Sequence, residues 1–305
     1  MNNIGYCCIN LSINENLKKK DHISVNRGMI KKTFESKGLS YVSELAILNL
    51  EDTLKILDWN IRKKILVYRL SSDSFPWFTH YKFEDLPNFK KIQSLLTRIG
   101  RKVIDNGLRV SLHPGPFNIL GSENPDVVTK TIDELNKHSQ ILDMMGLEQS
   151  TFFPVNIHIG TTKPTHEEAC RKFCDNFHLL SDSCKKRLTV ENDDSPNQYS
   201  VKMLYDLVHT KIGIPIIFDQ HHFLYGLQDQ TLEEALRLAL STWKTKPLTH
   251  MSSSKKIEDE KAVAIAHADY IYEKIETFGL EFDIEIEAKA KEMAVLKYRK
   301  DFFEN

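Results

Sequence analysis

The sequence predicts an α/β chain folded as a single (β/α)8 TIM barrel spanning residues 1–305. Three observations predict it. Eight short runs rich in Val, Ile and Leu recur along the chain, stretches of helical spacing separate them, and no Gly-x-Gly-x-x-Gly fingerprint follows the first run. Apolar runs that alternate with helices read as parallel strands covered on both faces, and eight such units suit a closed barrel. The absent fingerprint disfavours an open doubly wound sheet built for dinucleotides.

The first run, IGYCCINL (4–11), opens the chain almost at once, and apolar residues every three or four positions over 41–59 predict the first long helix. KKILVYRL (63–70) and LRVSLHP (108–114) follow as strands two and three, the latter stopped by Pro-Gly-Pro. Residues 127–145 have helical spacing with Asp126 as the expected N-cap, and FPVNIHIG (153–160) and RLTVEND (187–193) supply strands four and five. IPIIFDQHH (214–222) is the sixth strand, and the helix predicted over 231–243 has Thr231 as N-cap and Glu233 and Glu234 in its first turn. PLTHMS (247–252) and FDIEIEAK (282–289) complete the eight, and no Pro-, Gly- or Ser-rich linker splits the chain.

Composition bounds the function. A 41% hydrophobic chain of 305 residues can bury a large core, and its formal charge of −1 neither advertises nor excludes a nucleic-acid partner. One stretch, KKKDHISVNRGMIKK (18–32), is locally basic. The five cysteines form no CxxC pair, so neither a disulfide framework nor a zinc knuckle is expected, and reduced thiols fit an intracellular, soluble protein of the cytoplasm, nucleoid or nucleus. No run approaches membrane-spanning length.

Chemistry in such a barrel collects at the C-terminal strand ends. Here those ends hold His113, His158, Glu191, Asp219 with His221 and His222, His250 and Glu287, and His80 follows the second strand by a short loop. A histidine alone near a strand end is usually structural, but six successive strands ending this way would converge on one mouth. Imidazoles and carboxylates so close need a cation between them. A mixed N/O donor set without cysteine suits zinc, manganese or iron(II), and the surplus of ligands suits two or three ions, an arrangement fit for phosphodiester hydrolysis.

These residues sit in motifs that resemble the UV damage endonucleases, nicking enzymes of alternative excision repair. The motifs are GYCCIN (5–10), YRLSSDSFPW (68–77), SLHPGPFNIL (111–120), VNIHIG (155–160), LTVENDD (188–194), FDQHH (218–222), THMSSS (249–254), HADYI (267–271) and DIEIEAKAKE (283–292). The resemblance implies a TIM barrel related in design to endonuclease IV and xylose-isomerase-like enzymes, holding divalent metals, usually Mn2+. It implies a double-stranded DNA substrate nicked immediately 5′ to cyclobutane dimers and 6-4 photoproducts, leaving 3′-hydroxyl and 5′-phosphate. The implied ligands are His80, His113, His158, Glu191, Asp219, His222, His250 and Glu287, with Glu191 bridging, and His221 is expected to point away. A lesion groove needs only one chain, so a monomer is expected.

By the same resemblance Tyr6 and Asn10 lie near the lesion, and Pro116 and Phe117 take the positions of a Gln–aromatic wedge that enters the duplex. Phe117 can still stack, whereas Pro116 has no amide side chain to probe an orphaned base. Leu248 stands where relatives often carry a lysine, in some carboxylated and metal-bound, so a third ion is weakened or missing; Lys246 is spaced elsewhere along the strand. Lys289, on the face of Glu287, either pairs with it or stabilises phosphate, Arg69 is expected on phosphate, and Lys18, Lys19, Lys20, Lys31 and Lys32 supply basic surface. Three other readings share parts of this pattern: an endonuclease IV-like enzyme for abasic sites, a xylose-isomerase-like sugar isomerase, and a damage-binding protein without turnover. The basic stretch and the aromatic after HPGP favour a polymer over a sugar, and a ring of buried charges would serve no purpose in a non-catalytic protein.

Overall fold

The computed structural model describes residues 2–302. Eight parallel strands form one sheet in the order β3-β2-β1-β8-β7-β6-β5-β4. They are β1 (Ile4–Cys7), β2 (Val67–Arg69), β3 (Arg109–Ser111), β4 (Val155–Ile157), β5 (Leu188–Glu191), β6 (Ile216–Asp219), β7 (Leu248–Met251) and β8 (Asp283–Ile286). A parallel bridge from Leu112 to Val155 joins the two edge strands, with Leu112 N donating to Pro154 O at 3.0 Å, and closes the ring. Every strand is shorter than its apolar run. The ladder stops where the ligand-type residues begin, so His113 and His158 stand just beyond the last paired residues.

The helices are α1 (Lys31–Arg62), α2 (Phe89–Asp105), α3 (Pro125–Met144), α4 (His166–Phe177), α5 (Asp182–Arg187), α6 (Val201–Leu204), α7 (Thr210–Ile212), α8 (Gln220–Tyr225), α9 (Leu232–Ser241) and α10 (Glu292–Phe302), with a π-helical turn, Tyr205–His209, between α6 and α7. α1 begins ten residues before the predicted span and is interrupted at Gly38, whose φ of +60° suits glycine. The cap of α3 is Asn124 rather than Asp126: the Asn124 side chain accepts from Asp126 N, and Pro125 fills the first helical position, where its missing N–H costs nothing. Thr231 caps α9 as expected, in a reciprocal capping box with Glu234. The alternation lapses once. Between β7 and β8 the chain forms only the 3-10 turn Lys255–Ile257, so one crossover is a loop. No helix among the described residues is long and apolar enough to cross a membrane.

Side chains alternate along each strand, and here the two faces have different chemistry. Tyr6, Tyr68, Val110, Ile157, Val190, Phe218 and Ile286 belong to the main core between strands and helices. The inward residues build layers. At the N-terminal end Arg109 is buried between the rings of Phe152 and Trp243, and Asp283 binds it at 3.3 Å and Lys246 at 2.6 Å. Val67, Ile217 and Leu248 form a small apolar cluster of their own inside. Leu248 is therefore core filling, and Lys246 is held at the base of the barrel. Glycine is required at position 5, because a Cβ there would lie 1.8 Å from the Val67 carbonyl oxygen. Gly5→Ala is expected to destabilise the fold by about 3 kcal/mol, measurable by chemical denaturation; an unchanged midpoint would contradict the close approach.

Candidate metal centre

Above those layers the inward positions turn ionisable. Glu191 ends β5, fully buried, and four imidazoles surround its carboxylate: His113 Nε2, His222 Nδ1 and His250 Nδ1 at 3.1 Å, and His158 Nε2 at 3.8 Å. Asp219 ends β6 and caps α8, its Oδ1 accepting from His222 N at 2.8 Å. Glu287 follows β8, its Oε1 3.4 Å from His250 Nδ1. Three overlapping groups could each hold a metal ion: His113–His158–Glu191, Glu191–Asp219–His222 and Asp219–His250–Glu287. Glu191 is shared by the first two and Asp219 by the last two.

The donor chemistry fits a cation. His113 Nδ1 lies 3.1 Å from the Pro114 carbonyl, and His158 Nδ1 lies 2.8 Å from Asp193 Oδ1. With His113 Nδ1 donating to that carbonyl, Nε2 of the neutral ring presents a lone pair, and that lone pair faces Glu191. Only a proton or a metal resolves the contact. Glu191 Oε1, Asp219 Oδ2 and His250 Nδ1 are also buried without a hydrogen-bond partner among the described residues, which buried polar groups rarely tolerate.

Without metal, protons take up this role. Burial opposes charge at every group here. It prevails at His113, which is pushed down despite Glu191. At His250 the Glu191 carboxylate outweighs burial and raises the ring to about 10, and His158 and His222 are raised too, by Glu191 and by Asp219 respectively. Glu191 is held well below the usual carboxylate range, burial being overcome by His250 and His158. A raised imidazole stabilises the fold fully below its unfolded value near 6.5, and the contribution is lost as pH rises through the folded value. The metal-free protein is therefore expected to lose roughly 5 °C of Tm between pH 6.5 and pH 10. With Mn2+, whose binding displaces those protons, the loss should vanish in a thermal melt; identical profiles with and without metal would refute this.

The other expected site residues divide. His221 points away from the ring, bound through Nε2 to Ile265 O at 3.0 Å, because 221 and 222 lie on a helical turn rather than on alternating faces of a strand. His80 is in none of the three groups: it is exposed, edge-on to Phe34 and Trp77. Tyr6 and Asn10 are sealed from solvent; Tyr6 Oη donates to Asn60 Oδ1 at 2.7 Å and accepts from Asn10 at 2.8 Å. Tyr6 faces the helices, being one residue out of phase with the interior, so neither side chain reaches a lesion in this structure. Arg69 is also buried, with Nε 2.8 Å from Glu285 and Nη1 2.6 Å from Glu287, and it neutralises carboxylates instead of meeting phosphate. Lys289 is exposed at the rim, and its expected ion pair with Glu287 is not made. Pro116 is exposed and Phe117 is 87% exposed, while Lys18, Lys19, Lys20, Lys31 and Lys32 are exposed as well.

Four residues of the site were not singled out from the sequence. Asn156 donates to Glu191, Asp193 holds His158, Glu285 lies beside His250, and His267 packs against His222 with Nδ1 2.9 Å from the Glu287 carbonyl. Inward spacing two residues before a ligand would have found Asn156 and Glu285.

The family profile described as UV-endonuclease UvdE matches residues 2–304. The UV DNA damage endonuclease of Bacillus mycoides (strain KBAB4) is 34% identical over 267 residues, which are 83% of this chain and 80% of that protein. The crystal structure of SacUVDE superposes with a TM-score of 0.84 at 30% identity, covering 100% of this chain and 99% of that one. D-Psicose 3-epimerase from Clostridium cellulolyticum H10 shares the fold alone, with a TM-score of 0.53 at 10% identity over 77% of this chain and 78% of its own. Profile, sequence and structure agree across the chain, which belongs to the UV-endonuclease UvdE family.

Proposed function

We propose that this endonuclease is a metal-dependent DNA repair enzyme that hydrolyses the phosphodiester immediately 5′ to UV photolesions, leaving a 3′-hydroxyl and a 5′-phosphate. The observation that carries the reading is the chain of three candidate metal groups linked through Glu191 and Asp219 at the barrel mouth. Divalent ions there, Mn2+ by the resemblance, would supply a polarised water and a counter-charge for the leaving oxygen. His113, His158, Glu191, Asp219, His222, His250 and Glu287 are the proposed ligands, with two or three ions per chain.

The remaining roles follow from exposure. Lys289 can approach a phosphate at the rim, acting beside Glu191 as the second catalytic group, because its side chain is exposed there and none of the described residues forms a salt bridge with its ammonium. The exposed lysines at 18–20 and 31–32 suit the DNA backbone, whose contacts position without reading sequence. Phe117 projects from the turn after His113 and can take the place of a displaced base, with the stiff Pro116 beside it.

The test offers the purified protein matched duplexes bearing a thymine dimer, an abasic site or no damage, with Mn2+ or EDTA. A Mn2+-dependent nick 5′ to the dimer is expected. Cutting only at the abasic site would favour the endonuclease IV-like reading, and no cutting despite bound metal would favour a binding protein or isomerase. Phe117→Ala is expected to lower nicking at the dimer by about 10- to 100-fold, the equivalent of one lost stacking contact, with Mn2+ binding unchanged. Equal rates for Phe117→Ala and the unchanged protein would remove the wedge from the mechanism.

A further inference from the structure

One cavity at the rim has no part in the mechanism above. Its volume is about 360 Å³, and it is lined by Met29 from the loop between β1 and α1, by Asp73, Trp77 and Phe78 after β2, and by Glu134 of α3. Pockets that hold small molecules occupy roughly 300–1,000 Å³. Hydrogen bonds place the cavity beside the turn that carries Phe117. Asn118 Nδ2 donates to Glu134 Oε1 at 2.8 Å and to the Gly115 carbonyl at 3.0 Å, and Ser72 Oγ donates to the His113 carbonyl at 2.9 Å. The 115–118 turn is thus fastened to both α3 and the loop after β2.

The walls are braced before any ligand arrives. Trp77 stacks on Phe34 at 5.5 Å and 16°, and its indole N–H is donated to the Met29 carbonyl at 2.9 Å, so the ring offers a face and no free polar edge. Its φ of +57° is left-handed, a strained conformation for a bulky residue. Lys137 Nζ donates to the carbonyls of Phe78 and Tyr81 at 2.9 and 3.0 Å, pinning this segment to α3. The charged groups are all of one kind. Asp73 and Glu134 are carboxylic acids, and none of the described residues lining the cavity is Lys or Arg. Such a cavity repels phosphate and suits a flat ring that carries an amino group.

We propose that this cavity receives an adenine of the undamaged strand, displaced by Phe117 from opposite the lesion, with its ring against Trp77 and Phe78 and its exocyclic amine donating to Asp73. The inference rests on the wedge reading of Phe117. Adenine is the partner of each thymine in a thymine dimer, and its amine is a donor for a carboxylate. Thymine presents carbonyl oxygens, which a carboxylate repels, so the dimer itself is the wrong occupant. Pro116 cannot hydrogen-bond an orphaned base, and the cavity supplies that contact instead. Seating the base in a preformed site offsets part of the cost of unstacking it.

The experiment measures affinity by fluorescence anisotropy in EDTA, so that no strand is cut. Two thymine-dimer duplexes are compared, one with adenine opposite the dimer and one with a purine that lacks the amine. The ratio of their affinities is expected to fall by about 10-fold in Asp73→Ala, the equivalent of one hydrogen bond to a charged group. Trp77→Asn removes the indole and places a residue that tolerates the left-handed backbone. It is expected to weaken both damaged duplexes by about 10- to 100-fold, the loss of one stacking contact, and to leave the undamaged duplex alone. An affinity ratio equal in Asp73→Ala and the unchanged protein would overturn the proposal. A second probe, 2-aminopurine opposite the dimer, separates this failure from that of the wedge. Brightening on saturation with the unchanged protein or Trp77→Asn shows displacement, so brightening with an equal ratio would remove the cavity and leave the wedge standing. No brightening with either protein would overturn the wedge, and the proposal with it.

Discussion

Replacing Glu191 by Gln is expected to lower nicking by roughly 10³-fold, a barrier increase of about 4 kcal/mol, because one substitution removes the charge shared by two of the three candidate metal groups. Gln keeps the volume and an oxygen for the Asn156 amide, itself tied to Thr189 at 3.0 Å, so the fold should survive. What disappears is the anion among four imidazoles. Two consequences separate this from a local packing defect. Mn2+ should raise the Tm of the variant less, through the Asp219–His250–Glu287 group alone, and the metal-free variant should lose much of the alkaline fall in stability, since His250 and His158 are raised by Glu191 while His222 keeps Asp219. A Glu191→Gln protein that still nicks at the unchanged protein's rate with Mn2+ bound would take Glu191 out of the centre.

The barrel and the ring of candidate ligands were legible because both follow from periodicity. Strand runs separated by helical spacing give the architecture, and a strand that ends in His, Asp or Glu places that residue at the mouth whatever the details of the loop. His113, His158, Glu191, Asp219, His222, His250 and Glu287 converge for that reason. Depth and phase were harder to read. Tyr6 is one residue out of phase with the interior and packs outward, so its motif position did not reveal its partners. The helix α8 begins immediately after Asp219, which placed His222 by helical rather than strand geometry. His80 belongs to a loop whose path depends on Phe34 and Trp77, contacts that no spacing rule encodes. Asp193 matters through the far side of the His158 imidazole, a contact that no spacing rule encodes.

Arg69 is where depth reverses an expectation, and Arg69→Met should show it. The guanidinium lies inside the barrel with Glu285, Glu287 and His250, its Nη2 2.8 Å from His250 Nε2. Burial opposes ionisation of Glu285 and Glu287, and Arg69 is the chief reason both stay well below the usual carboxylate range, Glu285 at about 2. Removing one partner of a buried ion pair leaves the other charge uncompensated, which costs about 3–5 kcal/mol. Arg69→Met is therefore expected to destabilise the metal-free protein by that amount, and Mn2+ should restore part of it by neutralising Glu287. A phosphate contact at the rim behaves differently: its loss leaves stability intact and lowers the slope of log affinity for DNA against log salt by about one. Denaturation with and without Mn2+, set beside a salt titration of DNA binding, separates the two. An unchanged denaturation midpoint together with a reduced salt slope would return Arg69 to the substrate side of the site; a lost midpoint with an unchanged slope assigns it to the floor of the metal centre, where its charge is spent before DNA arrives.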